Sequence, residues 1–230
     1  MALFAIADTH LSFGTPDKRM SVFKGWDNHA ERLHAGWNGA VGVDDTVVIA
    51  GDVSWAQTLT EATADLRFID SLNGSKIILR GNHDYWWTTL TKMRRLRDEQ
   101  GLHSIEFLHN NAYKVGNAAV CGTRGWLNES DAPIDTKMTL REAARLERSI
   151  QAGLAQGVGE VVVFLHYPPV YAYEENAAIL EVLRKYAVRR VFAGHIHLSG
   201  MPSAFKGERY GICFDMITAD SLKFVPQKVL

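Results

Sequence analysis

Cysteine is nearly absent: the 230 residues hold only Cys121 and Cys213. Two thiols without metal-type spacing exclude a disulfide scaffold and a thiolate-held metal. Both stand in apolar, strand-like surroundings, so both are expected to be small buried side chains. Charge of one sign is lacking too. Net charge is −1, which leaves no broad basic footprint for the backbone of a long nucleic acid. The one local basic cluster, Arg94, Arg95 and Arg97, reads as a solvated helix end. No apolar run reaches membrane-spanning length, and no basic leader with a cleavage site opens the chain. The expectation is a cytoplasmic protein with no membrane partner. Repeats, low-complexity tracts and linkers are missing as well, so one domain over residues 1–230 is expected.

What is present is ordinary globular composition, 47% hydrophobic and 22% charged, arranged in a strong alternation. Short β-branched runs at 2–7, 46–50, 76–80, 161–165 and 189–193 alternate with helical patterns. Residues 58–72 open on a capping box, Thr58 with Glu61, and carry apolar residues at helical spacing. Residues 139–154 repeat the device with Thr139 and Glu142. Residues 26–40 and 174–186 also read as helices. Near-continuous apolar strands between helices imply an α/β sheet covered on both faces. Segments 104–122 and 207–225 break the rhythm with short strands and turn signals at Asn110–Asn111 and Gly116–Asn117. They predict added antiparallel strands and a second sheet. Two long polar loops, 11–25 and 123–138, suit either function or simple surface insertion.

The chemistry stands at the strand ends. Five apolar runs lead into Asp8-Thr9-His10, Gly51-Asp52, Gly81-Asn82-His83-Asp84, His166 and Gly194-His195-Ile196-His197. Ligands in open α/β sheets gather at carboxyl strand ends, so these segments are expected to converge on one rim. Each alone is weak, because a lone aspartate or histidine at a strand end is usually structural. Five of the nine histidines at such ends are another matter. Burying that many polar groups is costly unless something binds them. Imidazole, carboxylate and one amide oxygen, without thiolate, suit Mn²⁺, Fe²⁺ or Zn²⁺ in a catalytic site. Asp8, His10, Asp52, Asn82, His166, His195 and His197 are too many ligands for one tetrahedral ion and suit two, with a shared carboxylate. For Gly51, Gly81 and Gly194, each taken alone, ordinary strand termination is the simpler reading.

The ordered set resembles the calcineurin-like metallophosphoesterase superfamily, and its motifs span residues 8 to 197. The resemblance implies a four-layer αββα sandwich of two mixed sheets flanked by helices, with the metal site at the strand carboxyl ends. It implies that Asp8, His10 and His197 bind a first ion, that Asn82, His166 and His195 bind a second, and that Asp52 bridges them. It implies His83 as general acid or transition-state stabiliser, oriented by Asp84. The implied cofactors are two divalent transition-metal ions, manganese favoured. Two such ions, two carboxylates and a bridging hydroxide leave a net charge of about +1, which attracts a phosphate oxyanion. The hydroxide, available once bound water falls from a pKa of about 15.7 to about 7, would attack phosphorus in line.

The substrate is expected to be a small phosphate ester, monoester or diester. Arg124 is a candidate second phosphate contact. Trp55, Trp86, Trp87, Tyr167, Tyr171 and Tyr173 lie near the motifs and would suit a flat, nucleotide-like group; core packing is the rival reading, favoured for Trp86 and Trp87 at an expected helix start. Arg80 reads as a strand end, and His29, His34, His103 and His109 as surface or structural residues. A non-catalytic scaffold on the same fold is the alternative function, and the complete ligand set speaks against it. A nuclease with an extended groove is disfavoured by the charge.

Overall fold

Alternation inside the apolar runs decides the architecture. In the first run Leu3, Ala5 and Ala7 enter one hydrophobic cluster, whereas Phe4 and Ile6 enter another. A strand that buries both of its faces serves two cores at once.

The computed structural model describes residues 1–126 and 136–230. Its first half runs β1 (Leu3–Ile6), α1 (His29–Ala40), β2 (Thr46–Ala50), α2 (Leu59–Ser71), β3 (Ser75–Leu79), α3 (Leu90–Glu99) and β4 (Ile105–Phe107). Then come β5 (Tyr113–Val115), β6 (Ala118–Thr123), α4 (Thr136–Leu154), β7 (Glu160–Leu165), α5 (Ala177–Lys185) and β8 (Arg190–Ala193). Strands β9 (Gly207–Arg209), β10 (Ile212–Met216) and β11 (Gln227–Lys228) complete the order.

The strands form two mixed sheets, ordered β11-β1-β2-β3-β4 and β5-β6-β7-β8-β10-β9. Within the first, β1 to β4 are parallel and β11 pairs antiparallel to β1. Within the second, β6, β7, β8 and β10 are parallel, and β5 and β9 add antiparallel edges. The inner faces share one apolar layer, in which Ala5, Val48 and Leu79 meet Val120, Val162 and Phe164. The first sheet's outer face packs on α1 to α3 through Trp37, Leu66 and Met93. The second sheet's outer face packs on α4 and α5 through Leu146, Ile150 and Leu183. The result is the four-layer αββα sandwich. Among the described residues, no helix is long and apolar enough to cross a membrane.

Several local expectations are met. Thr58 and Glu61 close a complete capping box on α2. The Gly116–Asn117 turn joins β5 to β6 as a hairpin. Arg95 pairs with Glu99, and Arg97 with Asp98 and Glu106, so two of the three basic residues are offset by their own helix and strand.

Three expectations are corrected. Helix α4 already runs at Thr136, so Thr139 is inside it and caps nothing. Glu142 instead turns inward and is buried against the Thr123 hydroxyl and Arg145. Cys213 is exposed, because strand alternation points Ile212 and Phe214 into the core and Cys213 away from it. Trp86 and Trp87 precede α3, which starts at Leu90, and both are buried in the core beneath it. Of loop 123–138, residues 127–135 lie outside the described part.

Candidate metal centre

All five predicted segments converge on the carboxyl ends of the central strands. The first sheet supplies Asp8, His10, Asp52 and Asn82; the second supplies His166, His195 and His197. Asp8, His10, Asp52 and His166 are buried, while Asn82, His195 and His197 form a half-open lip. Four of the seven, Asp8, His10, Asp52 and His195, have left-handed backbone, with φ from 45° to 71°. Strain of about 1–3 kcal/mol per such residue is characteristic of sites where geometry matters more than stability.

The donor atoms fall into two groups of possible ligands, Asp8 with His10 and His197, and Asp8 with Asp52 and His166. Nε2 of His10 faces Nε2 of His197 at 3.2 Å. Oδ2 of Asp52 lies 3.8 Å from His10 Nε2 and 3.5 Å from His166 Nε2, so this carboxylate reaches both sides. Oδ1 of Asn82 lies 2.6 Å from His166 Nε2 and 3.0 Å from His195 Nδ1.

Supporting contacts fix these atoms. Asp8 accepts the backbone N–H of His195. Asp52 Oδ1 accepts the backbone N–H of His83 at 2.8 Å. Oδ2 of Asp220 lies 3.3 Å from His197 Nδ1, leaving Nε2 aimed at the cage. This carboxylate–imidazole pairing orients and enriches a ligand nitrogen. Asp220 was not predicted, and no motif or spacing marks it. Trp26 was also missed; it is buried edge-on to His10 and His197. Among the flagged aromatics, Trp55 stacks on His10 at 4.9 Å and leans on His83 at 4.5 Å. Tyr167 packs on His195 and His166. Tyr173 is fully exposed, and Tyr171 joins a small cluster around Ile196 and Met216.

Asp84 does not make the contact expected of it. Its carboxylate accepts the backbone N–H groups of Gly81, Asp52, Val53 and Ser54 and the indole N–H of Trp86. It therefore ties the loop after β2 to the loop after β3 and leaves the His83 ring alone. Burial, then the Asp52 charge, push its carboxyl up to about 7.

The glycines exceed ordinary strand termination. A Cβ on Gly81 would fall on the carboxylate and backbone nitrogen of Asp52. One on Gly51, itself at φ 91°, would meet Gly81 Cα and His166 Nδ1, each at 2.7 Å. Gly81→Ala is expected to displace Asp52, cost about 1–3 kcal/mol of stability and lower metal content. A denaturation midpoint and elemental analysis check both.

The profile of the calcineurin-like phosphoesterases matches residues 1–199. The chain belongs to that family. Among solved structures, this phosphoesterase is similar to phosphopantetheinyl hydrolase (PptH) from Mycobacterium tuberculosis, with 15% identity and a TM-score of 0.54 over 100% of this chain and 95% of that one. It is also similar to the TT1561 protein of Thermus thermophilus, with 12% identity and a TM-score of 0.55 over 92% and 86%. At such identity these likenesses speak for the fold alone. No curated protein is matched by the chain.

The family implies divalent metal ions, and the donor set fits them. Nδ1 of His166 lies 3.1 Å from the carbonyl of Ala50, which only a protonated Nδ1 can satisfy. That assigns a lone pair to Nε2, facing the acceptor oxygen of Asn82 at 2.6 Å. Two acceptors pointed at each other are what a shared cation requires. Electrostatics agree. Burial, with Asp52 nearby, pushes the Asp8 carboxyl well up, and burial raises Asp52 to about 6. Burial, with His197 nearby, drives His10 well down, and burial brings His166 down to about 3. Burial works to lower His197, but Asp220 and Asp8 outweigh it and raise that ring.

A pH dependence follows. His166 is neutral at all pH values above about 3 and offers no competing proton. Asp52 keeps a proton below about 6, and a cation must displace it. Asp8 and His197, whose proton affinities are raised as well, must also be freed, so metal affinity is expected to fall from pH 8 downward and by at least about tenfold per pH unit below about 6. Titration of metal-free protein with Mn²⁺ from pH 5 to 8 measures the fall; a flat profile would contradict it.

Proposed function

We propose that this phosphoesterase hydrolyses a small phosphate ester with two divalent cations. The observation that carries the reading is Asp52, whose Oδ2 reaches both the His10 and the His166 side of the cage. Asp8, His10 and His197 would hold one ion, and Asn82, His166 and His195 the other. Bound there, the ions supply Lewis acidity: they make hydroxide available at neutral pH for in-line attack on phosphorus and offset phosphate charge. Manganese fits the donor set best in this reading, because oxygen and imidazole donors dominate and thiolate is absent.

The chain's own groups do the rest. Asp84 fixes Asp52 through its backbone N–H. Asp220 fixes the ring of His197. Trp26 and Trp55 wall off the His10 side and exclude water from it. The His83 ring stands 5.7 Å from that of His10, centre to centre, at the edge of the cage. Its Nδ1 is buried without a hydrogen-bond partner. In this reading the ring steadies the departing oxygen as general acid.

The test joins elemental analysis to paired assays on p-nitrophenyl phosphate and its bis-ester. About two equivalents of transition metal are expected, with turnover that chelation abolishes and Mn²⁺ restores. The ratio of the two activities separates monoesterase from diesterase. Protein that carries no metal and cleaves neither ester would favour a non-catalytic scaffold.

A further inference from the structure

Beside the cage, on the same rim, the ends of β3, β4 and β6 and the inner side of α4 enclose a cavity of about 70 Å³. Arg80, Arg124, Arg141 and Arg145 line it, with Thr123 and Glu142. All of its lining residues are among those described. We propose that this cavity is a second anion site, which takes a phosphate group of the substrate other than the scissile one. The proposal rests on the phosphoesterase reading and narrows the substrate to esters carrying at least two phosphate groups.

Charge supports it first. Four guanidinium groups face one carboxylate. Glu142 is engaged by the Thr123 hydroxyl and by Arg145, each at 2.5 Å. Among the described residues Arg80, Arg124 and Arg141 have no carboxylate partner. Nε of Arg80 is buried with no acceptor. A desolvated guanidinium without an anion is costly, and fork-shaped donors match phosphate oxygens.

Placement supports it next. Arg80 stands two residues before Asn82 of the cage. The carbonyl of Arg124 accepts the backbone N–H groups of His166 and Tyr167. Arg80 thus follows the same strand as Asn82, and the segment bearing Arg124 is bonded to the end of β7 at His166, so the two sites are fixed relative to each other. Size supports it last. About 10–15 Å³ of such space admits one water, so the cavity has room for a phosphate group.

The test compares binding of ADP and AMP to the metal-loaded protein by calorimetry. ADP is expected to bind at least about tenfold more tightly than AMP. Arg80→Gln and Arg141→Gln are expected to bring the ratio close to one, and Arg141→Lys, at an exposed position, to restore part of it. Equal binding of ADP and AMP by the wild type, or an unchanged ratio in both glutamine variants, would overturn the proposal. Intact discrimination in a protein that cleaves no aryl phosphate would instead sink the hydrolase reading and leave this site standing.

Discussion

Asp52→Asn is expected to lower turnover by about 10³-fold or more and to deplete both metal positions together. The reasoning is geometric. One carboxylate oxygen reaches His10 on one side and His166 on the other, so the substitution touches both groups at once, as one at Asp8 also would. The amide keeps the shape and the hydrogen bond from the His83 backbone, but removes a negative charge between two proposed dications. Losing one preorganised charge contact alone costs about 10²–10³. Loss of metal adds to that. Elemental analysis with kcat decides it: a fully loaded, fully active variant would refute the bridging role, and loss of one equivalent alone would assign Asp52 to one side.

His83→Ala is expected to act oppositely on the two readouts. Metal content should hold, since the ring is not among the converging donor atoms. Turnover should fall by about 10²–10⁴, the range for loss of a general acid. The fall should be steeper for an alkyl ester than for p-nitrophenyl phosphate, whose leaving group needs less help. Equal rates on both esters, at wild-type level, would rule out the acid role. Because His83 donates its backbone N–H to Asp52, the substitution leaves that bond in place and isolates the ring.

Much of this was legible in the sequence, and the reason is physical. Apolar runs that end in aspartate or histidine fix both a strand and the direction in which it presents its ligands. The four layers came from the family resemblance; the short strand signals alone pointed no further than a second sheet. What the pattern does not encode is where a side chain turns. Thr139 and Glu142 spell a capping box, yet Glu142 is spent on Thr123 and Arg145 inside. Asp84 adjoins His83 in sequence, yet its oxygens serve the backbone of a different loop. Asp220 and Trp26 reach the cage from segments with no motif, so only the fold brings them there. The glycines were under-read for the same reason: their need is set by what lies opposite, the Asp52 carboxylate and the His166 ring.

The split origin of the cage bears on how the molecule assembles. Asp8, His10, Asp52 and Asn82 come from one sheet, and His166, His195 and His197 from the other. On the proposed assignment neither half holds a complete ligand set, so high-affinity binding would have to wait for the sheets to dock. Ions that join after docking strengthen contacts absent from the folding barrier, and such contacts slow escape from the native state more than they hasten arrival. The proposed metal centre would thus double as a latch between the two halves: starving the protein of metal would shorten its lifetime against proteolysis as well as silence it.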